Sequence, residues 1–196
     1  MNIIPLFAQP LAITINTDHK KIQKQLITQC RNIKNKIKKG GTNWHVSTFN
    51  TCSTHHLHTD KFFDPITNWI FKEILLFSEN IGFKNKKINC THSWFNFYKK
   101  YDHQEEHDHV GERDDFIAVY FLTGTKQSGD LILKPSISTS LSIPDLDQNN
   151  LFTWGNYKIS TEPGKLVMFK GDMRHLVTQN KSNKPRISLA YNFKIA

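Results

Sequence analysis

No apolar run in the chain approaches the ~18 residues that cross a bilayer as a helix, so no helical membrane span is expected. The opening Met1-Asn2-Ile3-Ile4-Pro5-Leu6 lacks the basic start and continuous apolar stretch of a secretory signal. Cysteine is sparse. Cys30, Cys52 and Cys90 are odd in number, widely spaced and form no C-x-x-C pair, which fits free thiols in a reducing, cytoplasmic setting better than a secreted disulfide framework. Alanine is also scarce while phenylalanine is used 14 times, a balance that favours β structure over a plain helical bundle. Acidic residues are the minority: 17 Asp and Glu face 26 Lys and Arg, for a net charge of +9. Such a charge suits nucleic acid, anionic surfaces or acidic substrates. The lysine runs lack interleaved aromatics, however, and read better as solvated helix faces.

What is present is enough for a core. The 196 residues fit one domain spanning 1–196, and the apolar and aromatic content argues against disorder. Ile3–Phe7 and Leu11–Ile15 read as extended segments that Pro5 and Pro10 hold to an edge. Ile22, Leu26, Cys30, Ile33 and Ile37 follow helical spacing, predicting a helix capped by Asp18, reaching about Lys39 and stopped by Gly40-Gly41. Residues 42–60, polar and containing His55, His56 and His58, read as a surface loop. A second helix opens with Asp64 as cap and Pro65 in its first turn, buries Ile66, Trp69, Ile70, Ile74 and Phe77, and ends near Gly82.

From residue 90 the period changes to two. On Thr91–Lys100, Trp94, Asn96 and Tyr98 share one face and Phe95 and Phe97 the other, which suggests a core on one side and a polar cavity on the other. Further strands are expected at Phe116–Leu122, Asp130–Lys134, Phe152–Ile159, Lys165–Lys170, Arg174–Gln179 and Pro185–Lys194, with turn residues between most of them. Many short strands after two helices indicate a mainly β (α+β) sandwich or barrel with helical buttresses. Ser136–Asn150, polar and containing Pro144, reads as a lid or substrate loop.

One run concentrates the chemistry: His103-Gln104-Glu105-Glu106-His107-Asp108-His109. On an extended strand His107 and His109 would project to one side, and converging imidazoles suit Fe, Cu, Ni or Zn. His175 is the natural third ligand. A hairpin near Lys181-Ser182-Asn183 would set His175 opposite residues 186–188, where Arg186 and Ser188 share a face and form a carboxylate clamp. Asn96, Tyr98, Tyr120 and Asn192 are candidates for the cavity wall, and Trp94 for the core.

These residues carry a resemblance. His107-x-His109, the distal His175 and Arg186-x-Ser188 resemble the 2-oxoglutarate/Fe(II)-dependent oxygenases, more narrowly a group of small oxygenases from phages and marine bacteria. Similar stretches run from Ile3-Ile4-Pro5-Leu6-Phe7 through Trp94-Phe95-Asn96, Val119–Leu122, Ser128-Gly129-x-Leu131 and Pro163–Phe169 to Arg186–Phe193. The resemblance implies a double-stranded β-helix (jelly-roll) core with the N-terminal helices outside. It implies Fe(II) on His107, His109 and His175, and 2-oxoglutarate on Arg186 and Ser188, with Asn96, Tyr98, Tyr120 and Asn192 as further contacts. Ascorbate would serve as reductant in vitro, and a phage-encoded member would act in the host cytoplasm. The implied reaction hydroxylates a small molecule, a protein side chain or, less in keeping with the motifs, nucleic acid, releasing succinate and CO2. The superfamily pattern has Asp or Glu where His109 stands, so Glu105 and Asp108 remain alternative ligands here. Two other readings fit the same residues: a cupin-type metal dioxygenase without 2-oxoglutarate, and a non-enzymatic jelly-roll binding or phage structural module.

Overall fold

Sequence alternation sorts every central strand into one face for the helices and one for the second sheet. The computed structural model describes residues 1, 3, 8–37, 40–41, 45–46, 48–84, 86–135 and 155–196. The readings at residues 4–7, 38–39 and 152–154, and the loop 136–150, lie outside them. In order come β1 (Leu11–Ile15), α1 (His19–Lys36), β2 (Phe49–Asn50), α2 (Asp64–Asn80), β3 (Ile88–Tyr98), β4 (Gln104–His107), β5 (Phe116–Thr123), β6 (Asp130–Lys134), β7 (Tyr157–Ser160), β8 (Lys165–Lys170), β9 (Arg174–Val177) and β10 (Arg186–Ile195). A six-stranded sheet has the order β1-β8-β5-β10-β3-β2, and a four-stranded sheet the order β4-β9-β6-β7. All pairings are antiparallel, giving the expected mainly β jelly roll with two helices.

Two cores follow from strand parity. Phe116, Ala118, Tyr120 and Leu122 of β5 pack with Leu166 and Met168 of β8, Leu189 and Tyr191 of β10, and the α1 and α2 stripes. Ile117, Val119 and Phe121 turn the other way, onto Leu131, Leu133, Ile159 and Val177 of the smaller sheet. The α2 stripe of Ile66, Ile70, Ile74 and Phe77 is buried as its spacing predicts, each side chain contributing about 2 kcal/mol. Parity also decides the chemistry. On β10, Ile187, Leu189, Tyr191 and Phe193 face the helices, which leaves Arg186, Ser188, Ala190 and Asn192 for the space between the sheets.

Several local expectations are corrected. α1 ends at Lys36, short of Lys39, and Asp18 at its N-cap makes no side-chain cap; its carboxylate pairs with Lys21. α2 already includes Asp64, with Phe63 at the N-cap. Residues 48–60 are not a plain surface loop, because β2 pairs with β3 and Leu57 is fully buried. Arg174–Val177 and Arg186–Ile195 form no hairpin: β9 lies in the four-stranded sheet and β10 in the six-stranded one. His175 therefore faces the Arg186 strand across the sandwich, not from an adjacent register position.

Candidate active site

The histidines come from two adjacent strands and one turn. β4 pairs with β9 so that His107 and His175 stand opposite each other in register, their ring centroids 4.2 Å apart. His109 is not on a strand. It lies past the end of β4, in a turn that its backbone N–H ties to the Gly171 carbonyl at 2.9 Å. Gly171 permits this closeness, because a Cβ there would sit 1.9 Å from the Asp114 carbonyl oxygen. One ring nitrogen from each of His107, His109 and His175 lies within 4.8 Å of the other two. Glu105 and Asp108 stay outside the cluster: the Glu105 carboxylate accepts from His45 N and Gln104 Nε2, and exposed Asp108 accepts from Val110 N.

Each imidazole is held in one tautomer. His107 Nδ1 meets the Glu105 carbonyl at 2.9 Å and His175 Nδ1 the Met173 carbonyl at 3.0 Å; carbonyls only accept, so both Nδ1 atoms carry hydrogen. His109 Nδ1 meets Glu112 Oε2 at 2.6 Å and donates to it in the same way. The ligand lone pair then falls on Nε2 of all three rings, the arrangement a metal-binding histidine requires. Burial keeps His107 below its usual pKa and His175 well below it, the neighbouring imidazoles adding to the effect, so both are neutral near pH 7. Three pre-oriented imidazoles on one point suit a borderline divalent metal, and the set fits Fe(II).

A second feature lies deeper. Arg186 is 0% exposed, and its Nε and both Nη atoms have no hydrogen-bond partner among the described residues. The guanidinium lies on the Tyr98 ring at 4.8 Å and the Phe121 ring at 5.1 Å. Burial lowers its pKa, and Tyr98 and Asp130 act weakly the other way. An isolated buried cation costs several kcal/mol unless an anion joins it. The donors thus match a carboxylate.

From the histidines towards Tyr98 and Ser188 runs a narrow cavity of about 30 Å³, lined also by Asn96 and Gln104. Asn96 Oδ1 accepts from Trp94 Nε1 at 3.1 Å, and Ser188 and Tyr98 share the cavity wall. Tyr120 is not part of this wall. It lies on the helix face of β5, its hydroxyl 2.6 Å from His19 Nδ1 and its ring against Trp69. Asn192 sits at the opposite end from Arg186, bonded through Nδ2 to Asp114 Oδ2 at 2.7 Å and beside His109. Trp94, assigned to the core from sequence, lines both the narrow cavity and a wider cleft of about 310 Å³. That cleft opens past His107 and His109 between Cys52, Ser53, His56, His92 and Glu112. Sequence reasoning missed Glu112 and Asp114; the one usable signal was an acid three residues after His109, within reach of the same turn.

Comparison with known proteins adds the remaining findings. A family model described as "Putative 2OG-Fe(II) oxygenase" matches residues 92–192, the span from β3 to β10 that holds every site residue named above except His56, Cys52 and Ser53. No curated protein matches the chain in sequence. Among solved structures, a Pseudomonas putida prolyl-4-hydroxylase is 13% identical with a TM-score of 0.68, over 96% of this chain and 94% of its own. The α-ketoglutarate-dependent epimerase SnoN of nogalamycin biosynthesis is 8% identical with a TM-score of 0.69, over 95% and 78%. A Trichoplax adhaerens prolyl hydroxylase in complex with a hypoxia inducible factor peptide is 12% identical with a TM-score of 0.67, over 93% and 82%. At these identities the likeness is one of fold.

Proposed function

The chain belongs to the 2OG-Fe(II) oxygenase family, and from that premise we propose that it hydroxylates a C–H bond of a substrate entering the His56–His92 cleft. Fe(II) is assigned to His107, His109 and His175, and the distal carboxylate of 2-oxoglutarate to Arg186. The observation that carries this reading is the fully buried Arg186 guanidinium without a partner among the described residues, a cation a dicarboxylic co-substrate would neutralise. A cupin-type dioxygenase or a plain binding module gives that cation no task.

Bound together, Fe(II) and 2-oxoglutarate supply the oxidant for C–H hydroxylation, O2 being consumed and succinate and CO2 released. The protein's share is binding, orientation and exclusion of water. Carbonyls behind His107 and His175 fix which nitrogen each presents, and burial keeps both deprotonated. Tyr98, under the guanidinium, and Ser188, on the same cavity wall, offer hydroxyls to the same carboxylate. Arg186 is not itself on the cavity lining, and about 30 Å³ admits only a water-sized group. Lining side chains must therefore turn aside when the diacid binds.

The wider cleft beside His107 and His109 supports substrate entry from that side. Among the described residues its lining holds imidazoles, Trp94 and Glu112 but neither Lys nor Arg. That suits a neutral peptide side chain or small molecule better than a polyanion, despite the net charge of +9. The solved neighbours named as prolyl hydroxylases and as an epimerase are in keeping with either class.

Incubation with Fe(II), ascorbate, 2-oxoglutarate and peptide and small-molecule sets should yield succinate, and H175A should abolish it. Calorimetry showing no 2-oxoglutarate binding to the Mn(II)-loaded protein would overturn the reading.

A further inference from the structure

Among the described residues, the His109 imidazole has two carboxylates beside its Nδ1. His107 and His175 donate to neutral backbone carbonyls. His109 Nδ1 donates instead to the Glu112 carboxylate at 2.6 Å, and Asp114 Oδ2 lies 3.9 Å from the same nitrogen. Asp114 is held in place deliberately: its side chain is 1% exposed, Thr91 Oγ1 donates to Oδ1 at 2.7 Å and Asn192 Nδ2 to Oδ2 at 2.7 Å. Thr91 is free for this because the β3–β10 register shifts there: Asn192 pairs with His92 and Phe193 with Cys90, so Thr91 is skipped. A bulge of this kind re-aims one side chain beside a functional site. The imidazole so supported is also the one that replaces the carboxylate of the superfamily pattern.

We propose that Glu112, with Asp114 behind it, is a positioning residue that delivers to the metal, through the His109 ring, the negative charge its ligand set lacks. The inference rests on the reading above that His109 is a ligand. A carboxylate on Nδ1–H fixes the tautomer, orients the ring and makes Nε2 a stronger donor. Neutral carbonyls behind His107 and His175 do the first two of these but contribute no charge. The negative charge thus moves one bond network outward, from ligand to the residue behind the ligand.

The test is a Mn(II) titration of the wild type, E112Q, E112A, H109D and H109D/E112Q, with the absorption spectrum of the Co(II)-loaded forms as a second readout. Glu112 is 60% exposed, so its removal leaves the core intact, and unchanged thermal melting of the metal-free variants checks this. E112Q keeps a hydrogen-bond acceptor and removes only the charge. It should weaken Mn(II) binding about 10- to 100-fold and shift the Co(II) bands, with E112A weakened at least as much. In the H109D background a ligand carboxylate is restored and Glu112 becomes its like-charged neighbour, so H109D/E112Q should bind Mn(II) as tightly as H109D or more tightly. E112Q binding within twofold of wild type overturns the proposal, as does an equal loss in both backgrounds, which would mark a merely structural role. Failure of the wild type to bind Mn(II) at all overturns instead the ligand reading on which the proposal stands.

Discussion

Replacing Arg186 by Met separates what the protein needs to fold from what it needs to bind. The side chain is wholly buried between Tyr98 and Phe121, with no acid bonded to it among the described residues, so folding the metal-free protein desolvates a guanidinium that Tyr98 and Asp130 only partly compensate. Exchanging buried charge for apolar volume commonly stabilises by about 1–4 kcal/mol. At about 2–4 °C per kcal/mol for a chain of this size, R186M should melt some 4–8 °C above the wild type for a mid-range gain of about 2 kcal/mol. 2-Oxoglutarate reverses the order. At a hundred times its Kd a ligand adds about 2.7 kcal/mol to the protein that binds it, raising the wild-type melting temperature while leaving R186M unmoved. Leaving the ligand carboxylate unpaired in a buried site costs about 3–5 kcal/mol, or at least about 10²-fold in Kd. Differential scanning fluorimetry with and without 2-oxoglutarate, at saturating Mn(II), reads both effects in one plate. The reasoning fails if R186M is destabilised without ligand, or if 2-oxoglutarate raises its melting temperature as it does the wild type's. Retained metal binding with unaltered turnover in R186M would favour a cupin-type dioxygenase.

Two further outcomes follow from the same geometry. Y120F should leave 2-oxoglutarate affinity unchanged and cost about 1 kcal/mol through the lost His19 bond; a weakened affinity in calorimetry would return Tyr120 to the cavity wall. The metal-free protein should lose stability in mild acid: burial holds His107 and His175 below 6.5 in the folded state, so the unfolded chain takes up their protons first as pH falls. Stability is then complete above about pH 7 and declines through pH 6.5 towards the lowered values, by up to about 1.4 kcal/mol per pH unit for fully buried His175. Thermal melts from pH 7.5 to 5 read this above the range of Glu106 and Glu112, whose pKa values are lowered by Lys134 and His109; a flat profile refutes it.

Residue periodicity made most of the scaffold and the inner face of β10 readable. Arg186, Ser188 and Asn192 share a parity that no packing detail can alter, and the helical stripes of α1 and α2 are buried as spaced. Three things were not readable, each for a physical reason. Tyr120 belongs to a strand apolar on both faces, so alternation gives no clue to which side meets the cavity; only its pairing with Leu189 decides. The turn between β9 and β10 looks like a hairpin locally, yet β9 pairs with β4 and β6 in one sheet and β10 with β3 and β5 in the other. His109 was placed on a strand by its two-residue spacing from His107, whereas the chain leaves β4 at His107 and the turn that follows brings Glu112 and Asp114 up behind the ring.

The Gly171 contact has a consequence for how the site comes into being. His109 N reaches the Gly171 carbonyl, and Gly171 N in turn reaches the Asp115 carbonyl, so the segment before β5 and the turn before His175 are laced together from both sides. More than fifty residues separate the two strips, and closing so long a loop is repaid only when β5, β6, β8 and β9 have all taken their places. A fragment that stops before β9 lacks His175 and cannot bring three imidazoles together. The metal would arrive at a finished barrel rather than nucleate one, and its binding would report on the whole topology at once.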